Sequence, residues 1–308
     1  MESTPWDPEG VTFVLDPQGR VVHEANLREV DVKRFYKLLV AARCLDVRLG
    51  RAAPPMWASA AGEEAALVAT VLAARDADWI YPGMRDAAAA LARGVDYEAI
   101  AAALVGRGVD GEPALPGWIA SARHRIGTTT DALGMHLALA SGQAHGQKLL
   151  RDGGITFALF GEGLTTTGAF HETAMTAVAC DLPLVLVCRS QVWPDGAPAE
   201  AGLVGDAVAD RGKACGLWVR RVDGADPLGV FAAVASAADR ARDGRGPALV
   251  EVVVTQLNRD PPAHRDPIER MRRHLDATGV WTQTWEDVIE AEVRHQLDKA
   301  FAPKGARA

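Results

Sequence analysis

Two short apolar runs mark the middle of the chain. Residues 155–160 read ITFALF and residues 182–187 read LPLVLV, each rich in β-branched or aromatic types and bounded by polar or glycine positions. Runs of this length and composition predict buried strands. Between them Phe170, Met175 with Ala174, and Val178 recur at helical spacing. Strand, helix and strand in succession form one right-handed crossover of a parallel sheet.

The pattern continues on both sides. Residues 217–222 and 248–254 predict two more strands, and residues 206–216 and 227–242 predict helices. The alternation from 155 to 255 therefore predicts a doubly wound, mostly parallel α/β sheet flanked by helices. Upstream, residues 10–25 suggest two short strands around the turn Asp16-Pro17-Gln18-Gly19. Val32, Phe35, Leu38, Leu39, Ala42 and Leu45 make a helical stripe over 31–51. Helices are expected at 61–74, at 86–105 and at 131–151, the last capped by the Asp131 side chain. Residues 106–118, rich in Gly and Pro, read as a loop, and the last 40 residues as a helical tail packed outside or on a partner. The domain reading is an extension over 1–30, an α/β domain over 31–260 and a tail over 261–308.

Composition narrows the function classes. With 308 residues, 48% hydrophobic and 24% charged, the chain is expected to be globular. A net charge of −7 gives no cationic field for nucleic acid. No apolar run is long enough to cross a bilayer, and the first 30 residues lack the apolar core of an export signal, so the expectation is a cytoplasmic protein. Four scattered cysteines without a CxxC pair fit reduced thiols.

The chemistry is expected at the carboxyl ends of the strands, where such sheets take ligands. Gly161-Glu162-Gly163 follows the first central strand, and Arg189-Ser190-Gln191 the second. An acid between two glycines suits a metal-bound phosphate, because bare backbone leaves room for it. At these residues the chain resembles the alpha subunit of the decarboxylating component of 2-oxo acid dehydrogenase complexes, of pyruvate and branched-chain types. That family binds thiamine diphosphate and Mg²⁺ through Gly-Asp/Glu-Gly followed some 26 residues later by Asn-Asn. Here residues 164–189 make 26 intervening positions, but the following pair is Ser190-Gln191.

The resemblance covers roughly residues 30–300 and implies a transketolase-like diphosphate domain. It makes Glu162, Gln191 and the Trp193 backbone carbonyl the metal ligands. The Gln191 carboxamide keeps the oxygen of the family's Asn one methylene further out. Arg85, in Met84-Arg85-Asp86 where the family has Tyr-Arg-Asp/Glu, and Arg189 would face the diphosphate, since guanidinium pairs bidentately with phosphate. Gly161, Gly163 and Leu133 complete the cofactor-binding set, Leu133 through its backbone near the aminopyrimidine. His136 stands where relatives have His or Gln and is a candidate catalytic residue. The family's histidine near the reactive ring corresponds to Asp260, so His264, four residues on, is the candidate to replace it.

What the resemblance implies is oxidative decarboxylation of a 2-oxo acid with acyl transfer to a lipoyl-bearing acyltransferase component. Glu162 and Cys188-Arg189 tilt the reading toward the branched-chain type. A beta subunit would supply the carboxylate that activates the pyrimidine, in an α2β2 heterotetramer. The second reading is a degenerate, non-catalytic alpha-like subunit, favoured by Ser190-Gln191, Met84 and Asp260. A different thiamine or phosphate-ligand chemistry is the third.

Overall fold

The computed structural model describes residues 11–24, 27, 30–54, 57–105, 119–192, 207–257 and 261–302. Among them are five parallel strands: β1 (Trp79–Tyr81), β2 (Thr156–Gly161), β3 (Leu184–Val192), β4 (Trp218–Asp223) and β5 (Ala248–Thr255). Their order across the sheet is β1-β2-β3-β5-β4. The helices are α1 (Val32–Ala52), α2 (Glu64–Ala73), α3 (Ala87–Ala92), α4 (Tyr97–Val105), α5 (Met135–Leu150), α6 (Gly168–Ala179), α7 (Val208–Ala214), α8 (Pro227–Arg242), α9 (Pro267–Ala277) and α10 (Gln283–Phe301). No described helix is long and apolar enough to cross a membrane.

Alternation along β3 builds a core on each face. Val185 and Val187 join α1–α4 and α8–α10 on one side. Leu184, Leu186 and Cys188 join α5, α6 and α7 on the other. Strands buried on both faces explain the continuous apolar runs in the sequence. Crossovers that step one way along the sheet place α5–α7 on one face, and the single backward step from β4 to β5 puts α8 on the opposite one. Helix α2, apolar around nearly its whole circumference, is buried from Glu64 to Val71 between α1, α3 and α8.

Several expectations need correction. The strand over 182–187 starts and ends later, at Leu184 and Val192, because β5 pairs with its whole second half: Arg189 faces Val252 and Gln191 faces Val254. Arg189, Ser190 and Gln191 are therefore strand residues and no tail. The helix expected at 131–151 begins only at Met135, and Asp131 does not cap it. Gly134 holds φ 83°, and a Cβ there would lie 2.7 Å from that of Ala169, so neither a helical conformation nor a larger residue suits the position. The single helix expected at 86–105 is two, α3 and α4. Strand β1, the three residues Trp79-Ile80-Tyr81, was too short a run to announce itself. The loop at 106–118, Trp193 and Asp260 lie outside the described residues.

The first residues make single bridges in place of two strands. Leu15 bridges Val21 around the Asp16 turn, and Thr12 bridges Val222 of edge strand β4. Asp226 anchors this segment: its buried carboxylate accepts from the N–H groups of Val14 (2.5 Å) and Leu15 (2.9 Å) and caps α8 through Leu228 N–H (3.1 Å). Arg270, fully buried on α9, donates to Asp223 (2.5 Å) and to the Leu15 carbonyl (3.4 Å). The α10 helix lays Ile289, Val293, Leu297 and Phe301 into the same core as α1.

Burial pushes the Asp226 carboxyl up to about 6, against the backbone N–H groups of Leu15, Val14 and Gly229. An acid whose folded value exceeds its unfolded one stabilises the fold when protonated, and that contribution disappears as pH rises through the folded value. Urea unfolding should therefore show wild type gaining about 1 kcal/mol relative to Asp226→Asn between pH 7.5 and pH 5. A constant difference across that range would show that this carboxyl titrates as it does in the unfolded chain.

Candidate functional site

The connections part at the carboxyl ends of the first two strands. β1 leads to α3 on one face and β2 leads to α6 on the other. Such divergence leaves a crevice above the sheet. The loop before α2 closes one side of it, drawn in at Gly62, where an added Cβ would lie 2.1 Å from the Thr255 carbonyl oxygen. The first turn of α2 thereby meets the ends of β1 and β3.

Glu63, 1% exposed, is the hub. Arg85 Nη2 donates to its Oε1 (2.6 Å) and to the Ser59 carbonyl (2.5 Å). Arg189, its side chain 5% exposed, sets Nε 2.8 Å from Glu63 Oε2 and Nη1 2.7 Å from Asp86 Oδ1. Gln191 Nε2 donates to Glu63 Oε1 at 3.0 Å. Asp86 also accepts from Gly83 N–H at 2.7 Å, which fixes the turn carrying Arg85. Burial opposes the Arg189 charge, but Asp86 and Glu63 outweigh it and hold the guanidinium pKa above its ordinary range. The structure thus gathers Arg85, Arg189 and Gln191, on two strands' ends, around one carboxylate. Glu63 and Asp86 stood in the sequence as Ala61-Gly62-Glu63-Glu64-Ala65 and Met84-Arg85-Asp86, but nothing in the spacing marked them as the arginines' partners. The signal was acid abundance at a helix start beside a buried strand, which is a general N-terminal preference.

Glu162 heads the 3-10 turn Glu162–Thr166 directly after β2 and is 5% exposed. Together with burial it raises the pKa of the Cys188 thiol, which packs on the α6 side of β3. Gly161 lies beside Arg189 in register, and a Cβ added at Gly161 or Gly163 would meet nothing within 4 Å. Open space thus adjoins bare backbone on both sides of Glu162. Leu133 is 74% exposed ahead of α5. His136 is buried, its Nε2 3.0 Å from the Leu159 carbonyl, so it ties α5 to β2. Burial lowers its pKa against the pull of that carbonyl and of Asp86.

His264 lies elsewhere along the strand ends. It sits in the 3-10 turn Ala263–Arg265, and its carbonyl accepts from Arg270 Nη2 (2.8 Å). Burial, Arg265 and Arg270 lower its pKa. These neighbours belong to the β4 and α9 corner, with β5 between it and the Arg189 strand. Among the described residues no three His, Cys, Asp or Glu side chains converge as a metal cluster. A cation here would depend on one carboxylate and one carboxamide.

The fold and these side chains define a doubly wound α/β protein with paired guanidinium groups at the strand ends, the position where such sheets take ligands. Comparison with known proteins narrows the class: the family model "Dehydrogenase E1 component" matches residues 50–260, and the chain belongs to that family. It is 29% identical to the pyruvate dehydrogenase E1 component subunit alpha of Bacillus cereus, over 94% of this chain and 82% of the relative. It is also 29% identical to the 3-methyl-2-oxobutanoate dehydrogenase subunit alpha of Mycobacterium tuberculosis, over 89% of this chain and 78% of the relative. The 2-oxoisovalerate dehydrogenase subunit alpha of Bacillus subtilis is 28% identical, with 90% of this chain and 93% of the relative covered.

Removing one member of a buried charge cluster leaves the others uncompensated. Glu63→Gln should therefore cost roughly 3 kcal/mol of stability in chemical denaturation. In the Arg189→Met background the same change should cost less than half of that, because one stranded charge is already gone. Equal costs in both backgrounds would show the two residues to be uncoupled.

Proposed function

We propose that this chain is the alpha subunit of a thiamine-diphosphate-dependent 2-oxo acid dehydrogenase that transfers the acyl group to a lipoyl carrier. The observation that carries this reading is the strand-end assembly of Arg85, Arg189 and Gln191 around Glu63, beside Gly161-Glu162-Gly163. Three features of it suit a metal-bound diphosphate. Arg85 Nε–H is buried and has no hydrogen-bond partner among the described residues. The space over Gly161 and Gly163 is open. Because the Gln191 amide nitrogen is engaged by Glu63, its oxygen end is directed away from that carboxylate.

On this reading Arg85 and Arg189 hold the diphosphate, with the backbone at Gly161 and Gly163. Glu162, Gln191 and the Trp193 carbonyl hold Mg²⁺. Leu133 contributes its backbone at the pyrimidine. Thiamine diphosphate supplies, when bound, the nucleophilic carbon and the electron sink for decarboxylation. The chain's own task is to neutralise and orient the diphosphate, and Glu63 and Asp86 hold both guanidiniums in place before it arrives. His264 is offered as the proton carrier on the ground of the family resemblance alone, as it stands four residues beyond the position of the family's histidine; its contacts put it at the β4 and α9 corner. His136 acts as a positioning residue for β2. A beta subunit supplies the pyrimidine-side carboxylate in an α2β2 assembly, and a lipoyl-bearing acyltransferase is the next partner. Four free thiols suit a cytoplasmic setting.

A second reading has its own observation. Two carboxylates already balance the two guanidiniums, and Gln191 is bonded within the cluster. A self-satisfied network of this kind also suits an alpha-like subunit with a structural or regulatory role. Titration calorimetry with thiamine diphosphate and Mg²⁺, on the chain with its beta-type partner, separates the two. The catalytic reading expects metal-dependent heat that Arg189→Ala reduces by more than about tenfold in affinity. Absence of heat from the wild-type assembly would leave the structural subunit. Within an active assembly, His264→Gln should lower turnover roughly 10²-fold and leave cofactor affinity unchanged. Unaltered turnover in that variant would remove His264 from the chemistry.

A further inference from the structure

The turn from Ser121 to Ile126 carries three basic residues in a row, Arg123, His124 and Arg125. Paired backbone bonds between Ser121 and Ile126 (2.9 Å each way) close it. It is fixed to β1 by the Ile80 N–H, which donates to the Arg125 carbonyl (2.9 Å), and by the Gly127 N–H, which donates to the Ile80 carbonyl (2.8 Å). Arg125 holds φ 52°, a left-handed conformation that glycine adopts without strain and that persists in other residues only where the surroundings impose it. Arg123 and His124 are thereby presented at the tip.

Beside this turn lies an open cavity of about 320 Å³, within the range of small-molecule sites. Asp76, on its wall, precedes β1, so the cavity lies at the amino end of that strand, away from the Glu63 cluster at the carboxyl ends. Arg34 of α1, Arg93 at the end of α3, and Arg123 and His124 of the turn line it, and Asp76 is the one acid among the lining residues. Leu72 and Ala92 give it an apolar side.

Arg93 is braced rather than neutralised. Its Nε donates to the His124 carbonyl (3.1 Å), and its Nη2 to those of Arg75 (2.8 Å) and Asp78 (3.0 Å). The Asp78 carboxylate is itself committed to Arg242 (2.8 Å) and to the Ile155 N–H (2.9 Å). Arg34 and Arg123 are exposed, and the side chain of neither makes a hydrogen bond or ion pair among the described residues. Three guanidinium groups from three separate elements thus meet at one space with a single carboxylate, in a chain whose net charge is −7. Their mutual repulsion opposes folding, and an anion seated between them removes it.

We propose that this cavity binds the phosphate group of a small organic molecule whose remaining part packs against Leu72 and Ala92. Guanidinium forks pair bidentately with phosphate oxygens. The three arginines, less Asp76, leave an excess of positive charge that suits the near-dianion of a phosphate monoester better than a single carboxylate. The site is separate from the strand-end crevice and stands whatever that crevice binds.

Titration calorimetry of the full-length chain with phenyl phosphate and with inorganic phosphate tests it, in about 150 mM sodium chloride so that diffuse surface charge is screened. Wild type should bind both probes. The double variant Arg34→Gln with Arg123→Gln should lose about tenfold or more in affinity, and Arg189→Met, at the strand-end crevice, should stay within about twofold. Both glutamines replace exposed side chains, and unchanged thermal melts would show that the fold is kept. Phenyl phosphate should bind more than about fivefold tighter than inorganic phosphate, through its apolar part. Equal affinities would overturn the organic ligand and leave inorganic phosphate as the occupant. No heat with either probe, or an affinity that Arg189→Met lowers at least as much as the double variant does, would overturn the site.

Discussion

One carboxylate holds the working end of the sheet together. Glu63 sits at the start of α2, is almost wholly buried, and is touched by Arg85 from beyond β1 and by Arg189 and Gln191 from β3. In a low-dielectric setting each of those charges would be costly alone. Grouped, they fix three separate pieces of chain relative to one another. Asp86 completes the group by pairing with Arg189 while bracing the turn that carries Arg85. Preorganisation of this kind is what an anion-binding crevice requires, since side chains held in advance lose little freedom when a ligand arrives.

The opposite edge of the sheet uses the same device for a different end. Asp226 gathers the backbone of residues 14 and 15 and the first turn of α8, and Arg270 links Asp223 to Leu15. The segment ahead of α1 thus covers β4, whose edge would otherwise offer unpaired backbone to other chains. His264 belongs to this corner by its contacts, although the residues following β5 brought it under suspicion as a replacement for a ring-side histidine. Its position depends on where α9 docks, which no local pattern encodes.

The doubly wound sheet was legible because β2, β3 and β5 are buried on both faces and so read as apolar runs, with edge strand β4 following from its place in the alternation. β1, at three residues, was not, and neither was the split between α3 and α4 inside an alanine-rich stretch. The positions of Glu162, Arg189 and Gln191 at the strand ends followed from the apolar runs and the turn glycines, whereas Arg85 entered only through the family resemblance. What they do to each other did not. Gln191 was read as a possible oxygen ligand from the place it shares with the family's second Asn, and nothing in that reading foretold that its amide nitrogen is held by an acid 128 positions away in sequence. Side-chain partners across such distances are set by how helices dock, and Glu63 and Asp86 carry no signature that separates them from ordinary helix-start acids.

The sheet order has a consequence for how the chain assembles. β5 lies between β3 and β4 yet is the last of the five to be synthesised. Until about residue 255 has left the ribosome, β3 and β4 have no common neighbour, and half of the central seam stands open. Closing it requires inserting a strand into a gap, with contacts that span far more sequence than a hairpin does, and such topologies fold slowly. The nascent protein therefore passes through a stage in which the most apolar strands present bare edges, and its yield in a cell is governed by how well that interval is shielded.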